Sequence, residues 1–211
     1  MAHEDQIATF SSFYQVSRET LNSLKKYENL LIEENNKFNL VGKSTINNIW
    51  VRHFLDCFQV IDFIDKNDNV LIDLGSGAGF PGLVLGIAAK EKKIPIKIKI
   101  IEKSPKKIMF LKKLNQKLRL DVEFIKENVL TAPVLLDGDV IVARAFKPLQ
   151  TILELIHSKA INWRKGFIFQ GKTGESQILQ ASKSWNIKYK QRASITSNDS
   201  FVMEINKIEK K

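Results

Sequence analysis

Residues 73–82 read DLGSGAGFPG, an acid and four glycines set between two apolar runs. Glycine at that density costs chain entropy unless the backbone must turn tightly or let a ligand approach where a Cβ would stand. Two frames fit the string. Gly77, Gly79 and Gly82 satisfy G-x-G-x-x-G, the phosphate-binding turn of dinucleotide enzymes, whereas Gly75, Gly77 and Gly79 give G-x-G-x-G. Asp73 separates them. A carboxylate two residues before the first glycine sits poorly against a pyrophosphate, which is held by backbone amides and a helix dipole. It suits a ligand that carries ammonium and sulfonium groups and no phosphate, and S-adenosylmethionine is such a ligand. In that frame Asp73, Gly75, Ser76, Gly77, Gly79 and Phe80 form the cofactor turn, and Gly82 serves packing in the helix that follows. An NAD-dependent oxidoreductase is the alternative, and 211 residues leave it little chain for a substrate domain.

The elements that must hold this turn alternate between strand and helix. NVLIDLG, PIKIKIIEK, DVEFI, DVIVARA and GFIFQG read as strands, separated by helical patterns near 81–90, 105–118, 149–161 and 174–185. Ser104 and Pro105 stand at the cap and first position of the second of these helices. NIKYKQRASI and FVMEINKI close the chain as an antiparallel pair. Before residue 66 the pattern is helical. Ser17 caps a helix whose apolar residues are Leu21, Leu24, Tyr27, Leu30 and Leu31. Ser44 caps another, with a stripe of Ile46, Ile49, Trp50, His53, Phe54, Cys57, Phe58 and Ile61.

The expectation is an α/β fold: a mostly parallel seven-stranded sheet with an antiparallel last strand, of the Rossmann-like class I methyltransferase kind. A helical extension, 1–66, would pack on a core of 67–211 as one structural domain. In such sheets ligands bind beyond the carboxyl ends of the strands. Those ends carry Asp73 and Gly75, Glu102, Glu127 and Asn128, and Arg144.

Formal charge is +10, and residues 90–119 hold twelve Lys and Arg against Glu91 and Glu102. That concentration suggests a polyanion, nucleic acid first. The single Cys57 cannot form an internal disulfide, and no leader or membrane-spanning run is evident, so a cytoplasmic protein without a membrane is expected. Carbon-5 pyrimidine methylation would need a nucleophilic cysteine, yet Cys57 lies on an apolar stripe. The adenine-amine signature after the fourth strand is replaced by ARAFKPL. Guanine N7 already presents a lone pair, so its methylation needs placement and no strong base.

Taken in order, NNKFNLVG, IWVRHFLDCF, LIDLGSGAGFPGLVLGIA, IEKSPKKIMFL and VARAFKPL resemble the signatures of the RsmG (GidB) family of bacterial 16S rRNA methyltransferases. The resemblance covers nearly the whole chain. It implies methylation of N7 of guanine 527, in the usual rRNA numbering, with 16S rRNA or the 30S subunit as partner, no metal and a monomer. It also implies cofactor contacts from Gly75, Phe80, Glu102, Glu127, Asn128 and Arg144. Arg144 would hold RNA phosphate or the cofactor carboxylate, or else form a structural ion pair. His53 would fix the helical layer over the cofactor loop or place the substrate, and Asn39 is a candidate to line the cleft and place the substrate. Glu127–Asn128 departs from the family's small-plus-acidic pair, and FQGK carries Lys172 where the family has a leucine-lysine-glycine. A non-catalytic RNA-binding or ribosome-assembly protein is the other alternative.

Overall fold

The computed structural model describes residues 2–211. Helices come first: α1 (His3–Phe13), α2 (Arg18–Asn35), the short α3 (Lys43–Ile46) and α4 (50–63). α4 is composite, with a wide π-helical stretch Trp50–Leu55, an α-helical turn Asp56–Phe58 and a 3-10 ending Gln59–Phe63. The alternating part follows as β1 (Val70–Leu74), α5 (Gly82–Lys92), β2 (Lys97–Ile101), α6 (Pro105–Leu118) and β3 (Val122–Ile125). It continues as β4 (Val140–Arg144), α7 (Leu149–Lys159), β5 (Lys165–Gln170), α8 (Gly174–Ala181), β6 (Trp185–Ala193) and β7 (Phe201–Lys210).

The seven strands form one sheet in the order β3-β2-β1-β4-β5-β7-β6. Neighbours are parallel except β7, which runs antiparallel to both β5 and β6. A separate two-residue bridge pairs 136–137 with 160–161. The order reverses direction between β1 and β4, which places the ligand crevice at their carboxyl ends.

Local chemistry explains the helix ends. Ser17 Oγ accepts from Thr20 N at 3.2 Å, and Ser104 Oγ from Lys107 N at 3.5 Å with Pro105 beginning α6. One face of the sheet is covered by α1, α2 and α4–α6 around Tyr27, Phe54, Phe58 and Leu111. The other is covered by α7 and α8 around Leu153, Trp185 and Met203.

Two expectations need correction. α1 is an ordered helix that the sequence pattern did not announce, because only Gln6 and Phe10 on it are buried. The single helix expected from Ser44 is broken. α3 starts after an N-cap at Gly42, a turn at Asn47–Asn48 follows, and the π-helical stretch shifts the register. α1 holds the break: Gln6 Nε2 donates to Asn47 O at 2.9 Å. Phe10 packs edge-on to Trp50 and Phe58, with ring centroids at 5.6 and 5.2 Å. Phe10→Ala is therefore expected to cost about 3–5 kcal/mol in urea unfolding. A loss below about 1 kcal/mol would show that α1 is dispensable to the fold.

Candidate active site

A cavity of about 860 Å³ opens at the carboxyl ends of β1, β4 and β5. Its floor is the glycine turn, one wall is the π-helical stretch of α4, and its rim includes the 194–200 connection between β6 and β7. In the turn Gly75, Gly77 and Gly79 have φ of 68°, 61° and 101°, while Gly82 lies in the helix. The left-handed backbone selects the G-x-G-x-G frame. The space is also confined. A Cβ on Gly75 would come within 2.1 Å of the Phe146 ring, and one on Gly79 within 2.3 Å of Tyr27 Oη.

Asp73 acts from beneath this turn and does not line the cavity. It is fully buried, and its Oδ2 accepts from Gly82 N at 2.8 Å. Its Oδ1 and the Oγ of Ser76 are buried without a bond that meets hydrogen-bond geometry. Burial pushes the Asp73 carboxyl up to about 7, against the lowering influence of Ser76 and Gly82, and Glu102 adds to the rise. Glu102 accepts from Gly77 N at 3.0 Å and from Ser104 N at 2.8 Å, so it fastens the turn to the head of α6. A Cβ-free turn that lines the cavity with Gly75 and Gly77, with a carboxyl buried beneath it, fits a phosphate-free ligand of the S-adenosylmethionine type.

Arg144 ends β4 and reaches across to α4. Nε donates to Asp56 Oδ2 at 2.9 Å, Nη1 to His53 Nδ1 at 2.9 Å and Nη2 to Arg52 O at 2.7 Å. Its side chain is 18% exposed, and the next residue, Ala145, takes a φ of 50°. The guanidinium thus ties sheet to helix through an ion pair and two further hydrogen bonds. The π-helical turn makes this possible. Asp56 N donates to Val51 O and His53 O, and the carbonyl of Arg52 accepts from Arg144. Asp56 lies three residues after His53 on α4, and its Oδ2 accepts from Arg144. Its Oδ1 also accepts from Gln59 Nε2, Ser194 Oγ and Thr196 Oγ1, at 3.0, 3.2 and 3.1 Å. Sequence reasoning missed this convergence, since the partners lie up to 140 residues away.

Phe80 lines the cavity and stacks near-parallel on Tyr27, at 5.4 Å and 4°, and on His53, at 4.6 Å and 14°. His53 lines the cavity and is buried; burial, with the charges of Arg144 and Arg52, pushes its pKa down to about 3. Phe146 is half-buried and lines the cavity over Gly75. Gly79, Glu102, Glu127, Asn128 and Asn39 lie outside the residues that line it. Asn128 closes a local turn, with Oδ1 accepting from Leu130 N at 3.3 Å, and Asn39 is exposed just before Leu40 and Val41, which do line it. Cys57 is fully buried, and burial pushes its thiol up, which suits a packing role.

The basic stretch 90–119 is less free than its composition suggests. Lys90, Lys92, Lys97 and Lys113 pair with Glu19, Asp62, Glu123 and Glu34. From that stretch only Lys107 reaches the cavity, which draws further cations from Arg52, Lys147 and Lys172. Lys172 is 83% exposed and lies 3.4 Å from Asp199. Among the described residues no group of three or more His, Cys, Asp or Glu could hold a metal ion. No helix of the described residues is long and apolar enough to cross a membrane.

Sheet order, glycine turn and cavity define the chain as a class I S-adenosylmethionine-dependent methyltransferase in fold. Solved structures agree. TrmK of M. capricolum, in complex with S-adenosyl-homocysteine, is 21% identical with a TM-score of 0.53, over 72% of this chain and 67% of that one. The 16S rRNA methylase RmtB is 15% identical with a TM-score of 0.54, over 91% and 76%. The family follows from sequence: residues 20–203 match the GidB model, rRNA small subunit methyltransferase G, and the chain belongs to that family. Ribosomal RNA small subunit methyltransferase G of Pelagibacter ubique is 40% identical over 198 residues, covering 93% of this chain and 92% of the relative. That of Rickettsia akari is 33% identical, covering 93% and 98%.

The raised Asp73 pKa carries a sign. The folded chain holds this proton up to about pH 7, whereas the unfolded chain releases it near pH 4, so stability is lost as pH rises between them. An amide at this position would carry no titrating proton, and its oxygen would still accept from Gly82 N. Asp73→Asn is thus expected to gain melting temperature relative to the parent as pH is raised from 5 to 8. A pH-independent difference would contradict the buried, proton-holding carboxyl.

Proposed function

We propose that this chain transfers a methyl group from S-adenosylmethionine to N7 of a guanine in 16S rRNA, at the position given by the family resemblance. The observation that carries the reading is family membership over nearly the whole chain, together with an intact glycine turn at the floor of an open cavity. The backbone of Gly75, Ser76 and Gly77 would cradle the cofactor, with Gly79 shaping the turn and the Asp73 carboxyl buried beneath it. Glu102 keeps lone pairs for ribose hydroxyls, and Glu127 and Asn128 follow β3, where an adenine edge would come. When bound, S-adenosylmethionine supplies an electrophilic methyl group on a sulfonium.

N7 of guanine bears no proton, so nothing has to be removed as its lone pair takes the methyl group and the purine becomes cationic. The chain supplies placement. His53, neutral across the physiological range, is not required as a general base, and Arg144 keeps His53 and Asp56 in place. Lys107, Lys147, Lys172 and Arg52 at the cavity would meet RNA phosphates, giving salt-dependent affinity. The charge distribution and the absence of any need for a base support an RNA acceptor at this nitrogen.

The test supplies labelled S-adenosylmethionine and 30S particles lacking the modification, then identifies the methylated nucleoside. 7-Methylguanosine in 16S rRNA is expected; label in any other nucleoside, or none above background, would overturn the proposal.

A further inference from the structure

His53 carries a donor that the protein leaves unused. Arg144 is always protonated, so its Nη1 can only donate, and His53 Nδ1, 2.9 Å away, must accept. The ring proton therefore resides on Nε2. That nitrogen is buried and has no hydrogen-bond partner, although His53 as a residue is 7% exposed and lines the cavity. A buried N–H without an acceptor is costly. Three fixed contacts hold the ring all the same: the Arg144 bond, the Phe80 stack, and a helix bound through Asp56 to the same arginine. Other donors at the cavity, such as Lys107 and Lys147, end flexible side chains.

From this geometry we infer that His53 Nε2–H is the base-reading donor of the site, selecting guanine through the O6 that lies beside N7. The inference rests on the N7 reading above and adds how the base is chosen. On that edge guanine presents two acceptors, N7 and O6, whereas adenine replaces O6 with an amino donor. A fixed donor pairs with the first and faces a second donor in the other case, which gives discrimination by repulsion as well as attraction. His53 lines the cavity while its Nε2 is shielded from solvent, so the base must seat against that residue. Arg144 and Asp56 are positioning residues in this scheme: they set the tautomer and the aim of the ring without touching the base.

The test uses 30S particles reconstituted with guanine or 2-aminopurine at the target position; 2-aminopurine keeps N7 and lacks O6. With the parent enzyme, 2-aminopurine is expected to lower kcat/KM about tenfold or more. His53→Phe, which keeps a ring against Phe80 but no donor, should lose a similar factor on guanine and lose nothing further on 2-aminopurine. His53→Gln, whose Oε1 can accept from Arg144 while its Nε2 donates, should recover part of the guanine rate and the sensitivity to 2-aminopurine. S-adenosylhomocysteine affinity, read by calorimetry, should stay within about threefold in both variants. Equal 2-aminopurine penalties in parent and His53→Phe would overturn the inference, and so would loss of cofactor affinity, which would assign the donor to the cofactor. A methylated nucleoside other than 7-methylguanosine would instead defeat the underlying reading.

Discussion

A guanidinium taken out of water must find acceptors for its N–H groups, and the way Arg144 finds them shapes the rest of this site. Its three bonds run to Asp56, His53 and the carbonyl of Arg52, all on α4. No regular α-helix offers that set so readily. In the π-helical stretch Trp50–Leu55 the Asp56 amide donates to Val51 and His53 in place of Arg52, whose carbonyl accepts from Arg144. The same arginine thereby joins the carboxyl end of β4 to the helical layer. Through Asp56 it also gathers Ser194 and Thr196 from the connection between β6 and β7.

A second tie is apolar. Phe80, in the glycine turn, stacks on Tyr27 of α2 and on His53 of α4, and Tyr27 Oη donates to Ala78 O at 2.6 Å. The turn is therefore gripped from the helical side by a three-ring stack and from the sheet side by Asp73 and Glu102. Glycines reach the left-handed backbone without strain, and contacts from both sides hold the turn in that form. His53 belongs to both ties, which is why its orientation follows from the fold.

Much of this was legible in the residues. Ser17, Ser104 and Pro105 marked helix starts that the structure realises, and alternating strand and helix patterns gave the sheet and its antiparallel final strand. The glycine frame followed from Asp73, although that carboxyl works from below the turn and not at the cavity wall. What local pattern could not reveal was pairing over distance. Arg144 meets residues 88 to 92 positions earlier, and Lys90 meets Glu19 across 71. Charge counts along the chain therefore overstated the free lysines of 90–119. The break in the second helix was hidden as well, because the stripe from Ile46 to Ile61 keeps helical spacing while a neighbouring helix, through Gln6, takes the carbonyl at the break.

The central claim is that Arg144 is the tie on which the site's geometry rests, with Asp56 as its charged partner. A double-mutant cycle addresses it: Asp56→Asn, Arg144→Met and the pair, each compared by urea unfolding. Leaving either charge buried alone is expected to cost about 3–5 kcal/mol. The pair should then cost less than the sum of the singles by about 1–3 kcal/mol. Additive losses would contradict the account, for they would mean that the two side chains hold their places independently.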